Sequence, residues 1–147
     1  MISIGSDHGG YDLKMAVIAH LQQRGMECKD FGCYDKNSCD YPEFGRAAAE
    51  AVASGECEKG IVVCTTGIGI SIAANKVKGA YAALVSDVYS AERARLSNDA
   101  NIACMGAFTS GSKNREAMAT AFLTNEFVKG CSSQPKIDVF IEYDKER

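Results

Sequence analysis

The run Gly60-Ile61-Val62-Val63-Cys64 has no polar alternation, and a stretch of small residues, Thr65-Thr66-Gly67-Ile68-Gly69, follows it directly. A strand that is apolar on both sides must be covered on both faces. That is the setting of a central strand in a parallel sheet flanked by helices. The rest of the chain meets this demand. Residues 1–6 read as a first strand. Over 11–24, Leu13, Ala16, Val17 and Leu21 recur at helical spacing, with Gly25 as the stop. Residues 26–32 read as a short second strand. Asp40 and Pro42 open an alanine-rich helix that Gly55 closes. After the third strand the pattern predicts a short helix over 70–75, a strand over 80–86 and a helix over 89–96. A strand over 101–106, a helix over 114–127 and, from Pro135, an amphipathic helix with Ile137, Phe140 and Ile141 complete the chain.

Five strands, each followed by a helix, imply an α/β domain: a doubly wound five-stranded parallel sheet with helices on both faces. At 147 residues the whole chain, 1–147, is read as one domain with a substantial core. The last helix, about 135–146, is left to pack on its own chain or on a partner subunit.

A net charge of -3 and the lack of any basic patch argue against a nucleic-acid partner. No apolar run reaches the roughly 18 residues of a spanning helix, and the first residues do not read as a secretory signal, so a cytoplasmic location is expected. Seven cysteines without a C-x-x-C pair fit free thiols in a reducing compartment. The spacing of Cys28, Cys33 and Cys39 is unlike that of a zinc site, so no metal is expected.

In such sheets ligands bind at the carboxyl ends of the strands. Four stretches qualify: Ser6 to Gly9, Tyr34 to Tyr41, Cys64 to Gly69, and Ser86-Asp87. The loop Ser97-Asn98-Asp99 precedes the fifth strand, so it belongs at the opposite edge, where it could serve a neighbouring subunit. The glycine loop could gather backbone N–H groups on an anion. It is no Walker loop, and Gly67-Ile68-Gly69 meets only half of a dinucleotide fingerprint, although Asp87 lies where a ribose-binding acid would stand. It could equally hold a developing enolate oxygen, with Cys64 as the base beside it. Cys64 could also be a buried strand residue like Cys104. Asp7 and His8 suit proton handling or recognition of a hydroxyl or phosphate, while His20 reads as solvent-facing or locally satisfied and Arg93 and Arg95 as solvated helix positions.

Together, "GSDHGGYDLK", "DFGCYD…DYPEFG", "GIVVCTTGIGISIAANKVKG" and "YSAERARLSNDANI" resemble the ribose-5-phosphate isomerase B family, which includes the two galactose-6-phosphate isomerase subunits. The resemblance spans essentially the whole chain. It implies a Rossmann-like fold, a homodimer or dimer of dimers with shared active sites, a small sugar or sugar phosphate as ligand, and no metal or nucleotide cofactor. It further implies aldose–ketose isomerisation through a cis-enediolate, with Cys64 as the base and Thr66 and the backbone of Gly67, Ile68 and Gly69 holding the enediolate oxygen. By the same resemblance Asp7 contacts sugar hydroxyls, His8 the phosphate end and Tyr41 the sugar, while Asn98 enters from the second subunit.

The chain departs from that family in places that bear on the substrate. Ser97 stands where a ring-opening histidine is expected. Phe108 and Ser132 stand where phosphate-binding arginines are expected, and Lys136 replaces a third with a point charge. Lys113 and Arg93 are further candidates for an anion. Thr65 replaces a glycine after the cysteine and would be strained if that position needs positive φ. Such losses also fit a changed substrate, or one half of a heteromeric isomerase.

Overall fold

Strand β3 (Lys59–Cys64) is buried along its whole length and lies at the centre of the sheet. The structure, a computed structural model, describes residues 1–147. Around β3 lie β1 (Ile2–Ser6), β2 (Cys28–Asp30), β4 (Ala82–Leu84) and β5 (Ile102–Gly106), all parallel, in the order β2-β1-β3-β5-β4. Register pairs Ile4 with Ile61, Ile61 with Ala103, and Leu84 with Cys104.

The alternation of β3 divides the core. Ile61 and Val63 pack with Leu13, Val17 and Leu21 of α1 (Tyr11–Gln23), Ala91 and Ala94 of α4 (Val88–Leu96), and Met118 and Phe122 of α5 (Ser112–Thr124). Val62 and Cys64 face the other way, towards Ala48 and Val52 of α2 (Tyr41–Ala53) and Ile70 and Ala74 of α3 (Ile68–Asn75). Small residues let α2 sit close. A side chain on Gly5 would come within 3.0 Å of the Phe44 carbonyl oxygen, and the Ser3 hydroxyl donates to the Ala48 carbonyl at 3.0 Å. Each large apolar side chain buried this way contributes about 1.5–3 kcal/mol.

Several boundaries differ from the sequence expectation. Helix α3 begins at Ile68 rather than 70, because Gly67 at φ 79° turns the chain straight into it. Strand β4 is three residues rather than seven, since the Tyr81 amide is taken by the Asn101 side chain at 2.8 Å. Helix α5 starts at Ser112 and stops at Thr124, where Asn125 turns extended and its side chain bonds the Ala121 carbonyl.

Two solvated helix positions need correction. Arg95 is buried: its guanidinium donates to the Ala100 and Asn125 carbonyls and pairs with Asp99 at 3.0 Å and Glu126 at 3.2 Å. Arg93 donates to the Ser97 hydroxyl at 2.8 Å. His20 is satisfied across the fold, by the Thr120 hydroxyl of α5 at 2.9 Å.

The last helix, α6 (Gln134–Lys145), is held against the chain's own segment leading into β4, at Gly79 and Tyr81. Ile137 is buried there, and Phe140 lies 5.5 Å from the Tyr81 ring. Asp144 accepts from the Gly79 amide at 2.7 Å and the Tyr81 hydroxyl at 3.0 Å, and pairs with Arg147. Val139 and Tyr143 stay exposed. Burial and Asp144 push the Tyr81 phenol up to about 12. Burial opposes the charge on Asp144, but the Gly79 amide, Tyr81 and Arg147 outweigh it and hold the carboxyl below its usual range. The ionised form is therefore favoured by folding, and its stabilisation is complete above the ordinary carboxyl range and lost as pH falls through the lowered value. Asp144→Asn should lower the melting temperature at pH 7 by about 3–6 °C. The gap to the parent should close between about pH 4 and pH 2. Thermal unfolding followed across that range checks both.

Candidate active site

The chain turns in opposite directions after β1 and β3, which opens a crevice at their carboxyl ends. Three of the four expected stretches meet there. The fourth does not: Asp87 caps α4, accepting from the Ser90 amide at 2.6 Å.

Cys64 closes β3 and is 4% exposed, with its sulfur accepting the Gly67 amide at 3.1 Å. Its neighbour Cys104 is fully buried, and burial followed by the nearby Cys64 pushes that thiol far up, so Cys104 stays protonated and inert. The two cysteines therefore differ: one sulfur faces an amide at a helix start, the other only core.

The turn after Cys64 is set by close packing. Gly67 has φ 79°, and a side chain there would meet Leu84 at 2.7 Å and the Met105 backbone at 2.9 Å. Ala107 N–H donates to the Cys64 carbonyl and Phe108 N–H to that of Thr65, both at 2.9 Å. Within the turn, the Ile68 amide bonds the Thr66 hydroxyl at 3.2 Å. The amides of Gly69 and Ile70 bond no group of the chain and open the first turn of α3. Unpaired N–H groups and the helix dipole make this an anion-receiving corner beside the thiol. Thr65 is unstrained, since Asp99 is the one non-glycine residue with positive φ. The Thr65 methyl instead fills the space over Gly9, where a side chain would approach it to 2.6 Å.

At the end of β1 the Asp7 amide bonds the Val63 carbonyl, and its carboxylate accepts the Gly10 amide at 2.9 Å. Asp7 is buried and His8 exposed. His8 Nδ1 accepts the Cys39 amide at 3.2 Å, so the neutral ring carries its proton on Nε2. Burial, then the Cys33 thiol, pushes the Cys39 thiol up. Tyr41 opens α2 and lies over Gly69, where a side chain would strike its ring at 2.5 Å.

Two expected residues lie elsewhere. Asn98 sits at the amino edge, lining a cavity of about 470 Å³ with Tyr81, Phe140, Tyr143 and Arg147. Lys136 is exposed in the first turn of α6, and no contact joins it to the Cys64 cluster. Phe108 is 80% exposed beside the Cys64 turn. Sequence reasoning missed Lys14. Its one signal was its place on the stripe Lys14-Val17-Ile18-Leu21, which the structure buries.

Comparison with known proteins bears on the family and the fold. The sequence model of the family described as Ribose/Galactose Isomerase matches residues 2–140. The ribose-5-P isomerase B of Listeria innocua is 40% identical over 98% of this chain and 97% of its own length. The D-erythrulose-4-phosphate isomerase of Pectobacterium atrosepticum is 39% identical over 97% of this chain and 94% of its own. Among solved structures, the ribose-5-phosphate isomerase B of Clostridium thermocellum superposes with a TM-score of 0.95 at 46% identity, covering 99% of this chain and 97% of that one. With the family's fold and a match along its whole length, this chain belongs to the ribose/galactose isomerase family and is a sugar-phosphate isomerase.

Proposed function

We propose that the enzyme interconverts an aldose phosphate and its ketose, ribose 5-phosphate and ribulose 5-phosphate, with Cys64 carrying the proton between C2 and C1. The observation that supports this most is the Cys64 sulfur accepting the Gly67 amide at the foot of α3, a helix whose first turn leaves the Gly69 and Ile70 amides unpaired. The thiolate removes the C2 proton of the open-chain aldose. The C–H electron pair becomes the C1=C2 bond, and the charge passes to O1, which the α3 amides and the Thr66 hydroxyl receive. Cys64 then returns the proton to C1 while the O2 proton passes to O1, leaving the C2 ketone. Asp7 accepts from sugar hydroxyls, Tyr41 borders the sugar, and His8 presents its Nε2–H to the phosphate end. Charge develops against donors held fixed beside the buried thiol, which is the arrangement that stabilises an oxyanion.

Asn98 and Lys136 both lie on the β4–α6 side, away from this thiol. On this reading a second copy of the chain supplies them, so the active form is a homodimer.

One observation favours a second substrate. The Ser97 hydroxyl is held by Arg93 at 2.8 Å and does not titrate near neutral pH, so it opens no sugar ring. A four-carbon sugar 4-phosphate has its O4 blocked and cannot close a furanose ring, so it needs no such step. One relative of this chain bears that activity in its name.

Cys64→Ala should cut kcat for the preferred sugar phosphate by at least about 100-fold. Near-parent turnover would remove Cys64 as the base. Assays of ribose 5-phosphate beside erythrose 4-phosphate separate the two substrates. If ring opening limits the pentose, Ser97→His should raise kcat/KM for ribose 5-phosphate by about tenfold and leave the tetrose unchanged. Equal rates for both sugars in parent and variant would show that ring opening imposes no limit here.

A further inference from the structure

Lys14 is among the largest side chains in the protein with no exposure at all, and it lies in no expected site. An ammonium has three N–H donors. All three are used: two go to the Asp30 carboxylate, at 2.8 and 2.9 Å, and one to the Cys33 carbonyl. The rings of Tyr11 and Tyr34 lie 5.1 and 5.6 Å from the nitrogen and favour the cation further. Asp30 in turn accepts the Gly32 amide at 2.8 Å, and its carbonyl accepts the Tyr34 hydroxyl at 3.1 Å.

These bonds converge on one segment. Residues 31–40 leave β2 at the carboxyl edge and run to α2, and 34–38 and Asp40 are exposed. The segment carries the Cys39 amide that sets the His8 proton on Nε2, and it delivers Tyr41 to its place over Gly69. Its start is fixed by the Ser6–Cys33 and Ser6–Gly32 backbone bonds. Beyond these, its one buried charged anchor is Lys14. The outer tie, Lys36 to Asp12 at 3.0 Å, joins two exposed side chains, and such pairs contribute little.

We infer that Lys14 is a positioning residue for substrate binding: through Asp30 and Cys33 it fixes the segment that orients His8 and Tyr41, without touching the sugar itself. This rests on the reading of His8 and Tyr41 as substrate contacts. It assigns Lys14 an effect on ground-state binding rather than on the proton transfer at Cys64, which lies on the other side of the crevice on β3 and α3.

Three proteins test it: the parent, Lys14→Met, and Lys14→Met with Asp30→Asn. The single variant leaves a carboxylate without its cation and loses stability. The double variant removes both charges and regains much of it, because deleting both partners costs less than orphaning one. In the double variant, KM for the substrate should still rise at least about tenfold while kcat stays within about threefold. In the ¹⁵N NMR spectrum His8 should shift from the single Nε2-protonated form to a mixture of tautomers. Unchanged KM and an unchanged His8 spectrum in a folded double variant would overturn the assignment. So would equal losses in kcat and kcat/KM, which would place the effect in the chemical step. A parent that turns over no sugar would sink the isomerase reading alone, since the His8 spectrum still reports on Lys14.

Discussion

The site depends on two backbones lying in contact. A side chain at Gly106 would stand 2.7 Å from the Thr66 carbonyl, and one at Gly67 would stand 2.9 Å from the Met105 backbone. With no Cβ on either side, the turn after β3 lies flat on the end of β5 and is fastened there by the Ala107 and Phe108 amides. This contact lets α3 start within four residues of Cys64 and brings the Gly67 amide at its N-terminus to the sulfur. A looser turn would carry the helix start away and leave a buried thiol with no donor. On the proposed reading the donor at the sulfur is thus set by strand packing before any substrate arrives, which is what preorganised charge stabilisation requires.

Buried cations hold the two ends of the sheet in different ways. At the amino edge Lys59 and Arg95 share Glu126 and bond the Leu123, Asn125 and Ala100 carbonyls. The Lys59 hydrogen bond foremost, and Arg95 beside it, hold the Glu126 carboxyl below its usual range. This network closes the end of α5 and pins Ala100, next to the loop that presents Asn98. At the carboxyl edge Lys14 alone carries the corresponding load, on the segment leading to Tyr41. Buried pairs of this kind add little net stability after desolvation, so their value here is geometric: each fixes a loop that would otherwise be anchored only at its ends.

The parts legible in the sequence were those written in apolar pattern and small residues. The unbroken run into Cys64 could only be a central strand, and Gly67 and Gly69 marked a turn that backbone must approach closely. Charged residues were harder. Arg95 read as a solvated helix position, because nothing local reveals that Glu126 and the Asn125 carbonyl lie across the fold to receive it. Lys14 sat on an apolar stripe, yet its partners are 16 and 19 residues away on another element. The condition under which Thr65 would be strained is not met, for its backbone does not take positive φ. The roles of the site residues came from family resemblance, since position alone favoured Cys64 as a core residue.

The departures from the family pattern are not scattered. The residues around the thiol, from Asp7 through Thr66 to Gly69, form one connected unit built on β1, β3 and α3, and within it the departure from the family resemblance falls at Thr65, whose methyl lies over Gly9. Ser97, Ser132 and Lys136 lie on the far side, at the amino edge or on or beside α6, and Phe108 stands exposed at the rim. The one hydrogen bond between the two groups runs from the Phe108 amide to the Thr65 carbonyl and does not involve the Phe108 side chain, so on the proposed reading residues that select the distal part of a substrate can change without disturbing the donors at the sulfur. A fold divided in this way can keep one proton transfer and change the sugar it serves. That division explains how isomerases named for a pentose and a tetrose phosphate can both be about 40% identical to a single chain.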